Sequence, residues 1–168
     1  MQEHSTQLIA CIPRLRRYAR ALVGDRTKAD DLVQDTMERG WSRLSTWRPS
    51  GDMRAWLFGI MHNLYVDQVR KPSLATVELD EDTPMPYQMT AQTGRMEMRD
   101  LEKALQVLPA EQREILLLVA LEEMTYEEIS ATLGIPLGTV MSRLSRARER
   151  LRAQMEGKTV TSPLKVVK

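Results

Sequence analysis

The stretch TYEEISATLGIPLGTVMSRLSRARERLRAQM, residues 125–155, decides the reading of this chain. Thr125 with Glu128 three residues on has the form of a capping box: the hydroxyl accepts the amide of 128, and the glutamate reaches back to the amide of 125. The short helix that follows buries Ile129 and Leu133. Gly134 stands where a left-handed residue ends a helix. Ile135 is an apolar plug, and Pro136 resets the chain for a second helix. In that helix Val140, Leu144, Ala147 and Leu151 recur at steps of four, three and four, forming one buried stripe. Thr139, Ser142, Arg143, Ser145, Arg146, Glu149 and Arg150 lie opposite. Hydroxyls and arginines on the N-terminal half of a helix can bond phosphates and base edges in a major groove. A short helix, a glycine turn and a longer basic helix make the helix-turn-helix arrangement. An αα-hairpin with a solvated arginine face is the plainer alternative, but here cap, turn, stripe and one-sided charge coincide. Thr139, Ser142, Arg143, Ser145, Arg146 and Arg150 are the candidate contacts to duplex DNA.

Upstream, residues 96–108 and 110–123 read as two helices separated at Leu108-Pro109, proline being favoured at the first position of a new helix. Residues 72–94 contain Pro72, Pro84, Pro86 and Gly94, four acids and no helical period. A connector that long is unusual inside one compact domain, so it reads as a flexible acidic tether between two helical units. In the first unit, residues 8–23 show Leu8, Ile12, Leu15, Ala19 and Leu22 near helical spacing, with Pro13 starting or bending the helix and Gly24-Asp25 closing it. Residues 28–44 form a second helix. Its apolar face carries Leu32, Val33, Thr36, Met37, Gly40, Trp41 and Leu44, and its polar face Asp31, Gln34, Asp35 and Glu38. Residues 45–52 are a loop. Residues 53–71 are a third helix, which buries Leu57, Ile60, Met61 and Leu64 and ends at Arg70-Lys71 before Pro72. The expectation is an all-α chain with a first domain at 1–71, a linker at 72–94, a helix-turn-helix domain at 95–156 and a tail at 157–168.

Composition agrees. Of 168 residues, 42% are hydrophobic, 28% charged and only 5% aromatic, which favours helices with aliphatic cores. The net charge of +1 conceals segregation: +4 over 1–71, −4 over 72–94, −5 over 95–128 and +6 over 129–168, counted from the sequence. The last block is a local basic footprint of the kind that neutralises phosphates. No apolar stretch is long enough to span a bilayer, and the N-terminus lacks a signal-peptide layout, so a cytoplasmic location is expected. The single Cys11 excludes an intrachain disulfide, and with only His4 and His62 a dedicated metal site is not expected. Neither a glycine-rich phosphate loop nor a nucleophile–histidine pairing is present, so an enzyme is not expected, nor any cofactor.

Residues 126–136, Gly138-Thr139-Val140, Ser142-Arg143-Leu144 and Arg146-Ala147-Arg148 closely resemble region 4 of extracytoplasmic-function sigma factors, the promoter-recognition subunits of bacterial RNA polymerase. ADDLVQDT (29–36) resembles their region 2.2, and RAWLFGI (54–60) with Asn63 resembles regions 2.3 and 2.4. The resemblance covers about 8–71 and 96–155. It implies that the second helix docks on the β′ clamp coiled coil of core RNA polymerase through Asp31, Gln34, Asp35 and Glu38. It implies, too, that the loop and third helix read the −10 element of promoter DNA as a single strand. A flipped base needs a pocket and hydrogen bonds to its edge. Trp47, Arg48, Ser50 and Asp52 are the pocket candidates, and His62, Asn63, Asp67 and Arg70 the helix face. Trp56 is a stacking candidate for which a core position is the simpler reading.

The same resemblance gives the second unit the −35 duplex and the β flap, and adds an anti-sigma factor, often membrane-anchored, that covers the polymerase-binding faces. It implies a monomer, held at the inner membrane only through such a regulator. Many relatives carry Arg where this chain has Met141, so their −35 preference does not transfer. Ser130, where Ala is usual, is a minor departure. The acids Glu78, Asp80, Glu81 and Asp82 fit either a nucleic-acid-mimicking tether in the polymerase cleft or a solvated linker. The alternative reading is a stand-alone helix-turn-helix regulator acting on duplex DNA, which leaves the 29–36 and 54–63 motifs unexplained. A sigma-mimicking protein that sequesters an anti-sigma factor is a further rival. Its kind tends to lose the basic DNA-contact residues that this chain keeps.

Overall fold

The computed structural model describes residues 2–48, 51–70 and 93–157, without the side chains of Arg70 and residues 93–97. Among the described residues every regular element is helical. The first unit holds α1 (Gln2–Ala10), α2 (Ile12–Val23), α3 (Arg26–Ser42), a 3-10 turn (Leu44–Thr46) and α4 (Met53–Arg70). The second holds α5 (Thr93–Val107), α6 (Ala110–Ala120), α7 (Tyr126–Leu133) and α8 (Leu137–Met155). Most of the expected 72–94 connector lies outside the described residues. Its end needs correction: α5 begins at Thr93, so Gly94 is helical rather than part of a tether. The proposed tail, beyond Gly157, also lies outside.

Local chemistry explains the helix ends. The helix expected at 8–23 is divided at Cys11, because Pro13 has no amide to continue the α1 ladder and sits instead in the first turn of α2. Gly24 ends α2 with φ 83°, and Asp25 caps α3 by accepting the amides of Thr27 and Lys28. On α3 the buried Thr36 satisfies its hydroxyl on the Leu32 carbonyl at 2.8 Å. Gly40 is required by packing: a Cβ there would lie 2.8 Å from Leu57 Cδ2, so glycine lets α3 and α4 approach. Trp41 corrects the sequence reading. It is 55% exposed, because it follows Gln34 and Glu38 at i+7 and i+3 and so belongs to the polar face.

The helix-turn-helix forms as its residues require. Thr125 and Glu128 make the reciprocal capping box at 3.0 and 2.9 Å. Gly134 takes φ 70°, and Val140, Leu144 and Ala147 are fully buried while Leu151 and Ile135 are partly so. No atom lies within 4 Å of a Cβ built on Gly134, so only the backbone resists a side chain there. Gly134→Ala is expected to cost about 1–2 kcal/mol, read from the urea midpoint.

The two units share one core. Leu15, Leu22, Leu57, Phe58 and Met61 of the first are continuous with Leu108, Ile115, Leu118, Ile129 and Leu144 of the second. Helix α2 packs on α5 and α6, and α4 packs on α7. Each fully buried leucine or isoleucine contributes about 1.5–3 kcal/mol.

Candidate nucleic-acid interface

Three surfaces carry the candidate residues. On α8, Ser142, Ser145, Arg146 and Arg148 are exposed, and Thr139, Arg143 and Arg150 are partly exposed; Ser142, Ser145 and Arg146 lie opposite the buried stripe and Thr139, Arg143, Arg148 and Arg150 flank it. Arg143 is drawn toward α6, its Nε lying 3.8 Å from Glu111 Oε1. Met141 stands half exposed at the N-terminal end of this face. The arrangement offers guanidinium and hydroxyl donors in one strip, which suits phosphates and base edges.

On α3, Asp31, Gln34, Asp35 and Glu38 are all exposed, with Gln34 donating to Glu38 at 3.4 Å. Trp41 extends this acidic face with a large apolar ring. An aromatic anchor beside charges is a frequent makeup for a protein-docking surface.

The third surface departs most from the sequence reading. Trp47 is 8% exposed and packs edge-on against His4 with centroids 5.0 Å apart, so it is a core residue of the first unit, not an open base pocket. Asp52 accepts the Arg54 amide at 3.0 Å and so acts at the start of α4. Arg48 is exposed; Ser50 lies outside the described residues, as does the side chain of Arg70. Asn63 and Asp67 are exposed on α4, and Asn63 lines a shallow hollow with Arg43, Trp56 and Thr132. His62 is not free: its Nδ1 lies 2.6 Å from Glu114 Oε2 of the second unit.

That contact belongs to a charged cluster between the units which sequence reasoning missed. Glu122, its side chain fully buried, lies 3.6 Å from Arg14, 3.7 Å from Arg17 and 3.6 Å from Arg54. Arg54 and Arg17 also donate to the Glu122 and Leu121 carbonyls, at 2.9 and 3.2 Å, at the C-terminus of α6. In return, Arg113 of α6 donates to the Leu22 carbonyl at the C-terminus of α2, at 2.8 Å. Helix C-termini carry orphan carbonyls and partial negative charge, so guanidinium groups satisfy both needs. The available signal was a set of charges, Arg113, Glu114 and Glu122, bracketing the apolar run ILLLVAL.

Burial pushes the Glu122 carboxyl above its ordinary value near 4.5, against the opposing pull of Arg14, Arg54 and Arg17. A raised carboxyl binds protons more readily when folded than unfolded. Stability is therefore expected to rise as pH falls through the raised value toward 4.5. Glu122→Gln should abolish that component; thermal unfolding of the two proteins between neutral pH and 4.5 measures the difference. Burial likewise raises the Cys11 thiol, which keeps it from being a reactive thiolate.

Residues 8–62 match the family described as the Sigma2 domain of PhyR, and residues 98–151 match Sigma-70, region 4. A protein of Rhodopseudomonas palustris (strain TIE-1) named ECF RNA polymerase sigma factor EcfG is 36% identical over 151 residues, covering 87% of this chain and 81% of that one. The chain belongs to the ECF RNA polymerase sigma factors. Two solved structures resemble this ECF sigma factor. One is the sigma factor RpoE in complex with the anti-sigma factor NepR from Bartonella quintana, with TM-score 0.76, 33% identity and coverage of 93% of this chain and 98% of that one. The other is CnrH in complex with the cytosolic domain of CnrY, with TM-score 0.69, 26% identity and coverage of 94% and 90%. Family membership gives the exposed strip on α8 and the acidic face of α3 a common context. Among the described residues of this ECF sigma factor, no helix is long and apolar enough to cross a membrane, and no cluster of three metal-ligating side chains occurs.

Proposed function

We propose that the chain is a subunit of RNA polymerase, without chemistry of its own, that binds core enzyme and directs it to promoters. The domain at 1–71 docks on the β′ clamp through Asp31, Gln34, Asp35 and Glu38 of α3, with the exposed Trp41 as an apolar anchor. It reads the −10 strand through exposed residues such as Asn63 and Asp67. The helix-turn-helix domain at 95–156 meets the β flap and reads the −35 duplex through Thr139, Ser142, Arg143, Ser145, Arg146 and Arg150. Held at fixed spacing on the enzyme, two weak recognitions act together by effective concentration. The observation that carries this reading is the capped helix-turn-helix with its exposed basic strip, in one chain with a separate exposed acidic face.

An anti-sigma factor is the regulator this reading calls for, since one similar structure is the complex of a sigma factor with an anti-sigma factor. A groove of about 670 Å³ between the units fits one of its helices. Leu101, Leu105, Leu117 and Leu151 supply an apolar floor, and the exposed Arg26 beside Arg20, itself paired with Asp30 at 3.7 Å, a basic edge, which suits an amphipathic helix with acidic flanks. The sigma factor itself works in the cytoplasm, as a monomer, and meets the membrane only through such a partner.

Runoff transcription with purified core polymerase on genomic fragments tests the reading. Start sites that appear only when the chain is added are the expected result. Tight, specific binding of the free chain to a palindromic duplex, with no change in start sites, would instead identify a stand-alone regulator.

A further inference from the structure

We infer that Met141, with Leu137 beside it, reads thymine in the −35 duplex by packing against the 5-methyl group; this rests on the sigma-factor reading above and names a base contact for it. The outer side of α8 is divided lengthwise. At roughly 100° per residue, Gly138, Ser142 and Ser145 fall opposite the buried stripe. Leu137 and Met141 border them along one edge, and Thr139, Arg143 and Arg146 along the other. Leu137 is 40% exposed and Met141 50%. Standing four positions apart, their side chains are neighbours, so that edge carries a continuous apolar strip. The middle of the face is small. No atom lies within 4 Å of a Cβ built on Gly138, so packing within the chain does not call for glycine there, although glycine weakens a helix relative to alanine. Bare backbone at 138 and the two serines let α8 sit deep in a groove.

The polar groups nearby are partly committed. The Ser142 hydroxyl donates to the Thr139 carbonyl at 3.4 Å, and Arg143 is drawn to Glu111. Of residues 137–145, Met141 then has the longest side chain directed away from the protein. The chemistry of the major groove selects its target. Every base edge there presents donors or acceptors, but only thymine adds a methyl group. A thioether has no donor, so it cannot bond the N7 and O6 acceptors of guanine, and covering a polar edge would leave that edge unpaired. Against a methyl group it forfeits no hydrogen bond and removes apolar surface of both partners from water. Its unbranched chain adapts to the exact position of the methyl. Arg148, exposed two turns beyond Met141 on the same edge, suits a phosphate alongside.

The test uses the full chain with core polymerase. Start sites on genomic fragments give the −35 elements, and each thymine in them is then replaced singly by deoxyuridine, which pairs identically and lacks only the methyl group. At one or two of these positions the wild-type protein should lose about fourfold in single-round starts, the worth of one buried methyl group. Met141→Ala should lose a similar factor on the thymine template, and its further loss on deoxyuridine should not exceed about 1.5-fold, so that the two changes are coupled. Met141→Leu, still apolar, should keep a discrimination of at least about twofold. Both variants should unfold at the wild-type temperature, since the side chain is half exposed. If no thymine responds, or if Met141→Ala responds as fully as the wild type, the assignment is overturned while the starts themselves leave the sigma-factor reading intact. Should the wild-type chain give no starts on any fragment, that reading fails and the base contact falls with it.

Discussion

Arg113→Ala is expected to lower folding stability by about 3–5 kcal/mol, because it removes the donor from several buried carbonyls at roughly 1–3 kcal/mol each. Arg113 is 9% exposed and its guanidinium donors are all engaged within the protein. Nε donates to the Leu105 carbonyl at 2.8 Å, and Nη2 to those of Gln106 and Leu108 at 3.2 and 2.7 Å. Nη1 donates to the Leu22 carbonyl at 2.8 Å and to the Tyr65 hydroxyl at 3.4 Å. One side chain therefore closes the C-terminus of α5 and that of α2 in the other unit. Alanine removes this donor from the Leu22, Gln106 and Leu108 carbonyls, while that of Leu105 keeps the Leu108 amide at 3.1 Å. Lysine should rescue little, since a single ammonium cannot span the fork of acceptors. Urea denaturation of the three proteins measures this, and a loss below about 1 kcal/mol for alanine would contradict the account.

The second large effect concerns binding rather than folding. Asp35→Lys with Glu38→Lys reverses two charges on the exposed face of α3. Association with core polymerase should weaken at least about 100-fold, about 2.8 kcal/mol at 1.4 kcal/mol per decade. Trp41→Ala alone should cost about 2 kcal/mol, as a truncated aromatic anchor does. All three positions are exposed, so thermal unfolding should change little, within about 0.5 kcal/mol per site. Fluorescence anisotropy of labelled chain titrated with core enzyme checks both values. Affinity within threefold of the unaltered chain would remove α3 from the docking surface.

Much of the architecture was legible before any coordinates, because it depends on neighbours along the chain. The capping box of Thr125 and Glu128, the left-handed Gly134 and the stripe Val140–Leu144–Ala147 each rest on steps of no more than four positions. The acidic face of α3 was legible for the same reason. Reading failed where two local rules competed. Trp41 is apolar by type but polar by position on its helix, and position prevailed. Gly94 looks like a linker residue yet is carried within α5. Pro13 divided a helix that hydrophobic spacing alone would have continued.

What only the tertiary structure decided is how the two units meet. Arg113 finds Leu22 across 91 positions, Arg54 finds Glu122 across 68 and His62 finds Glu114 across 52. No periodicity encodes such pairings, since a charge inside an apolar helix announces only that it needs a partner. His62 accordingly lies in an interdomain contact, whereas Trp47 is buried against His4 within the first unit. By itself, then, the sequence determined helices, caps and the basic and acidic strips, all products of local hydrogen bonding and spacing. Which of those surfaces remain open in the folded chain depends on long-range burial and on where desolvated charges find one another.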